Sequence, residues 1–133
     1  MTKRANGTFE VKLNPQGPDA HGDPALRRMS IDKQFAGDLV ATSKGQMLTA
    51  STDVQGSALY VALEKVVGTL DGREGTFILH HTGVMRRGAP ELAISVVPDS
   101  GTGALVGLSG QMSIRIVERQ HFYEFDYTIP DVS

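Results

Sequence analysis

Apolar residues in this chain recur at every second position, in one segment after another, and no long stretch keeps helical spacing. Phe9, Val11 and Leu13 alternate with Thr8, Glu10 and Lys12. Met29, Ile31 and Phe35 share one side of a later segment, and Met112, Ile114 and Ile116 share one side of another. A period of two is the mark of strands with one face on a core and the other toward water. Between the segments stand turn residues, among 15 Gly and 6 Pro in 133 residues. Gly37-Asp38 and Asp71-Gly72 read as tight turns, the second as a favoured hairpin pair. Eight strands are expected: Thr8–Leu13, Leu26–Phe35, Leu39–Ser51, Gly56–Leu70, Gly75–Met85, Leu92–Val97, Gln111–Val117 and His121–Ile129. Only Ala58–Val67 competes as helix, and its β-branched residues and flanking glycines oppose that.

Eight sequential strands joined mostly by short turns predict an all-β fold, a closed antiparallel eight-stranded β-barrel. Closure removes both sheet edges. A barrel of this size is either filled by side chains or holds one small ligand. One domain over residues 1–133 is expected, with a flexible start at 1–6 and a long loop from Asn14 to Pro24. Arg86–Glu91 reads as a further loop, and Pro98–Gly107 as a structured Gly turn with no P-loop lysine.

Charge and composition narrow the partners. With no cysteine, disulfide scaffolds, cysteine-based zinc sites and thiol nucleophiles are excluded. A net charge of −2 offers no basic face for a phosphate backbone, so nucleic acid is not an expected partner. No apolar run approaches the ~20 residues that span a bilayer, and the first residues lack a signal-peptide core. A cytoplasmic protein without membrane association is the expectation. No metalloprotease, nucleophile-elbow or dinucleotide motif is present, and no cofactor or metal is implied. His80 and His81 are a poor metal pair, because adjacent strand residues point to opposite faces.

Several residues carry chemistry within this frame. His81 shares an otherwise apolar stripe with Phe77, Leu79, Gly83 and Met85, and a buried imidazole is suited to acid-base work near neutral pH. It reads equally as a core histidine satisfied by backbone. Glu64 shares a parity with Tyr60, Ala62 and Val66, opposite Leu59, Val61 and Leu63. If the aliphatic side turns outward into a subunit contact, Tyr60 and Glu64 line the interior. If it turns inward, Glu64 is a solvated carboxylate. The last strand puts Tyr123 and Tyr127 on one side, either as cavity walls with hydrogen-bonding tips or as core fillers.

The runs GSALYVALEKVVGTLDGREGTFILHHTGVM (Gly56 to Met85) and VVPDSGTGALVGLSGQM (Val96 to Met112) resemble an uncharacterised bacterial family of small β-barrels. GTFEV (Gly7 to Val11) and KQFAGDLVATSKGQML (Lys33 to Leu48) fit the same pattern. A more distant likeness is to plant allene oxide cyclase, in SGTGALVGLSG (Ser100 to Gly110) and FYEFDYT (Phe122 to Thr128). That likeness implies an allene oxide cyclase-like barrel with an elongated apolar cavity, and often a homo-oligomer. It also sets Glu10 at the cyclase's catalytic glutamate, although Phe9 and Val11 look like the core face. Met47 stands where the cyclase has its cysteine, so the plant mechanism does not carry over intact.

The expected function is binding of a small apolar or amphipathic molecule inside the barrel, with Tyr60, Met47, Phe77, Tyr123 and Tyr127 as its lining. The alternative is a cyclase- or isomerase-type enzyme in which His81 works with Glu64 or Glu10.

Overall fold

The computed structural model describes residues 2–16 and 24–130. It is a closed barrel of eight strands in chain order: β1 (Lys3–Pro15), β2 (Leu26–Gly37), β3 (Leu39–Ser51), β4 (Ala58–Leu70), β5 (Arg73–Arg86), β6 (Ala89–Val96), β7 (Ser109–Val117) and β8 (Gln120–Thr128). Every neighbouring pair is antiparallel, and β1 pairs with β8 to close the ring. The predicted parity holds on each strand. Phe9, Ile31, Phe35, Phe77, Leu79, Met112, Tyr123, Phe125 and Tyr127 are buried, while their even-numbered or odd-numbered neighbours face outward or are less buried.

Two expectations change. The start, expected to be loose, is ordered strand from Lys3, whose register pairs Lys3 with Tyr127 and Ala5 with Phe125. Its polar look has a simple cause: of Lys3 to Asn6 only Ala5 is buried, and the other three face water. The loop expected at Arg86–Glu91 shrinks to the two-residue turn Arg87-Gly88. Both residues take left-handed backbone angles, as Asp71-Gly72 do at the β4–β5 turn, and this twist matches that of the strands they join. Ala89 to Glu91 then continue as strand. Of the long loop expected at Asn14–Pro24, Asn14 and Pro15 end β1, and residues 17–23 lie outside the described residues.

The weakest seam of the barrel is between β6 and β7, which share only the pairs Ile94–Met112 and Ser95–Gln111. The Gly-rich connection completes the wall there. The Thr76 amide donates to Thr102 Oγ1 at 3.1 Å, and the Ile78 amide donates to Ser100 Oγ at 3.1 Å. The Val97 and Thr102 amides donate back to the carbonyls of Ile78 and Thr76. One short 3₁₀ turn, Gly103–Leu105, sends Leu105 inward, and Leu105 and Leu108 join the core beside Leu70, Phe77 and Phe125. This end of the barrel is therefore plugged. The element is structural, as its lack of phosphate-loop residues implied.

Tyr123 ties the ring across its interior. Its hydroxyl accepts from the Leu39 amide at 2.9 Å and donates to the Ala36 carbonyl at 2.9 Å, so β8 grips the β2–β3 turn. Tyr123→Phe leaves the Leu39 amide without this acceptor in a buried setting. The expected cost is about 1–3 kcal/mol of unfolding free energy, read from urea melts. A loss below roughly 0.5 kcal/mol, the scatter of neutral surface changes, would show that the hydroxyl does not hold the turn.

Candidate functional site

Three ionisable side chains meet inside the barrel. Lys33, Glu64 and His81 are 6%, 1% and 3% exposed, on β2, β4 and β5. Each shares the parity of buried apolar residues on its strand, so the alternation that builds the core also carries these three inward. Lys33 Nζ lies 2.8 Å from Glu64 Oε2, and His81 Nε2 lies 3.1 Å from the same oxygen. Ser43 Oγ donates to Glu64 Oε1 at 3.3 Å.

Register explains the meeting. His81 lies opposite Ala62 on the β4–β5 ladder, which makes it the diagonal neighbour of Glu64. Lys33 is two strands from Glu64, with β3 between them. There β3 turns Ser43 and Gly45 inward, and Gly45 lets β4 come close, since a Cβ on it would fall within 2.8 Å of Glu64. The Lys33 ammonium also stands 5.0 Å from the Phe9 ring centre and 5.8 Å from that of Phe35, a cation–π arrangement.

The contacts to Oε2 are close in distance but poor in angle, so neither Oε2 of Glu64 nor Nε2 of His81 completes a directed hydrogen bond. The ion pair of Lys33 with Glu64 is the shortest contact of the cluster. Burial alone would raise the Glu64 pKa, but contact with His81 and the charge of Lys33 outweigh it and hold the carboxyl below its ordinary range. Glu64 is thus an ionised anchor between two bases.

Toward the β5–β6 turn the interior changes character. The inward-parity residues Leu13, Met85, Leu92 and Ile116 are 42–62% exposed at this end, and Met29, Met47 and Tyr60 are half-buried below them. Apolar side chains thus meet water at this end, in contrast to the end closed by Leu105 and Leu108. Tyr60 stands between this end and the cluster, its ring centre 6.5 Å from that of His81. It lies against Gly83, where a Cβ would come within 2.0 Å of the ring, so glycine is what allows the tyrosine its place. Burial, and then the Glu64 charge, raise the Tyr60 pKa, and its hydroxyl stays a donor.

The structure brings His81, Glu64, Tyr60 and Met47 to one half of the barrel and leaves the other predicted residues elsewhere. Glu10 is exposed on the outer face, because Phe9 and Val11 take the inward positions of β1; the placement implied by the cyclase likeness is corrected here. Phe77, Tyr123 and Tyr127 fill the core rather than line that half. Phe77 stacks on Phe125 at 5.9 Å, Tyr123 holds the β2–β3 turn, and the Tyr127 hydroxyl donates to Asp71 near the plugged end. Lys33 and Ser43 were not anticipated. The signal for Lys33 was present: it is a charge set between Ile31 and Phe35 on their apolar parity.

The family described as "Protein of unknown function (DUF3224)" matches residues 5–127. The chain belongs to the DUF3224 family. A solved DUF3224 structure from Shewanella oneidensis MR-1, described as a protein with unknown function, is 48% identical and superposes with a TM-score of 0.92. The likeness covers 99% of this chain and 100% of that one, so the barrel spans the whole relative. No curated protein matches the chain.

Among the described residues no group of three or more His, Asp or Glu could hold a metal ion. Glu64→Gln leaves the Lys33 charge buried without its counter-charge, and the expected cost is about 3–5 kcal/mol by denaturant unfolding. The pH dependence has a definite sign. Because Glu64 is held below its ordinary value of 4.5, its stabilisation is fully present above that value and is lost as pH falls through the lowered folded value. The stability gap between wild type and Glu64→Gln should therefore narrow on acidification below about pH 4.5. A gap that stays constant down to the acid limit would mean that Glu64 is not ionised in the fold.

Proposed function

We propose that this DUF3224 protein binds a small amphipathic molecule at the open end of its barrel, apolar body in the mouth and polar head toward Tyr60 and the cluster. The observation that carries the reading is the Lys33–Glu64–His81 cluster beneath an apolar mouth. Stability does not account for such a cluster: a buried ion pair replaced by well-packed apolar side chains is often neutral or stabilising. A few polar groups at the base of an apolar recess are, by contrast, the ordinary make-up of a small-molecule site.

The test is titration with the neutral fluorophore N-phenyl-1-naphthylamine, which brightens in apolar surroundings. Saturable binding at one site per chain is expected, and Met47→Arg, which sets a charge in the mouth, should weaken it at least tenfold. Absence of saturable binding, or binding indifferent to Met47→Arg, would remove the reading.

A second reading is favoured by the 3.1 Å contact of His81 with Glu64. A carboxylate beside an imidazole is a general acid-base pairing, and with it the site would serve a cyclase- or isomerase-type reaction. In that reading His81 moves the proton, since the lowered Glu64 is a weak base. Conversion of a bound ligand that His81→Gln stops, without loss of affinity, is its expected signature.

Self-association is inferred from the outer face of β4. Leu59, Leu63 and Val67 are 41–55% exposed there, beside the equally exposed Leu48 of β3, and water-facing strands rarely keep such a row. Leu63→Lys should lower the mass seen by light scattering if this face joins copies. An unchanged mass would place any assembly elsewhere.

A further inference from the structure

Charge counting around the cluster narrows the chemical class of the ligand proposed above, and the inference rests on that reading. Two bases, Lys33 and His81, share one carboxylate, and that carboxylate spends its Oε2 on both. With Lys33 charged and Glu64 ionised the pair is neutral, and His81 is the member left without a counter-charge of its own. The groups that face it bring no second acid. From β4 come Glu64 and Tyr60, from β2 Lys33, and the neighbour across the β5–β6 ladder is Ile94. Beyond Lys33, the Phe9 ring separates it from His121, whose own ring centre is 5.0 Å from that of Phe9. Protonation of His81 would therefore leave a net positive charge inside the barrel, where an unpaired charge is costly.

Cationic groups also stand at the opening. Among the described residues, the turns and strand ends around it carry Arg27, Arg28, Arg86, Arg87 and Arg119, with Asp53, Glu91 and Glu118 among them.

We infer that the ligand is a singly charged anionic amphiphile, and that His81 takes up one proton as the anion arrives. The two events balance: the incoming negative charge meets the imidazolium, and the interior stays neutral with Lys33 and Glu64 still paired. A neutral amphiphile brings no charge to balance and draws no proton. A doubly charged head would need a second proton acceptor, and among the described residues the next imidazole on this side, His121, lies behind Phe9.

The experiment compares decanoate with 1-decanol by isothermal titration calorimetry at pH 7.5, each in two buffers of different ionisation enthalpy. Decanoate should bind at least tenfold more tightly than decanol, with up to one proton taken from the buffer, and its affinity should fall as pH rises to 8.5. His81→Gln should abolish the proton uptake and the decanoate preference while decanol binding persists. If His81→Gln does not fold, the triple variant Lys33→Met, Glu64→Leu, His81→Leu, with no buried charge to strand, should bind decanol and show no preference. Equal affinity for the two probes would overturn the inference and leave the binding reading standing. So would decanoate binding without proton uptake, which would assign the preference to the rim arginines alone. Failure of both probes to bind would overturn both.

Discussion

A carboxylate almost sealed from water must be met by positive charge, and in this barrel that requirement is answered by Lys33, 2.8 Å from Glu64 Oε2, with His81 beside the same oxygen. Much of the local sequence follows from it. Ser43 donates to the other Glu64 oxygen, and Gly45 is bare where the Glu64 backbone approaches. Phe9 and Phe35 cushion the ammonium with their ring faces. Gly83 is bare so that Tyr60 can lie between the cluster and the mouth. None of these residues is needed for an eight-stranded barrel as such, which aliphatic packing would close equally well.

The two ends of the barrel divide the work. At the plugged end the Gly-rich connection bridges the short β6–β7 seam, and Leu105, Leu108 and the Phe77–Phe125 stack fill the interior. Rigidity concentrates there, with Tyr123 clasping the β2–β3 turn from inside. The other end keeps apolar side chains of inward parity in contact with water, an arrangement that costs stability.

Much of this was legible in the sequence, because a period of two is a strong signal and each strand repeats it. The strand β3 (Leu39–Ser51) matches its expected bounds, whereas periodicity left both faces of β4 open, and only the barrel shows Glu64 inside with Leu59 and Leu63 outside. What escaped was non-local. Lys33 sits on an apolar parity, yet nothing in its own segment says that a glutamate two strands away will receive it. Tyr123 and Tyr127 had the parity of a cavity wall, and only their partners, the Leu39 amide and Asp71, show that they serve the core. Glu10 shows the reverse error: a distant likeness set it inside, and the alternation of Phe9 and Val11 set it outside.

The charge state of Glu64 is the point on which the account turns, and carbon-13 NMR of the protein labelled at glutamate side-chain carboxyls reads it directly. The account predicts that the Glu64 resonance keeps the shift of an ionised carboxylate from pH 8 down past the ordinary glutamate value of 4.5, moving only at lower pH. A Glu64 signal with the shift of a protonated carboxyl near neutral pH would contradict it, and the cluster would then be a neutral hydrogen-bonded core rather than a charged site.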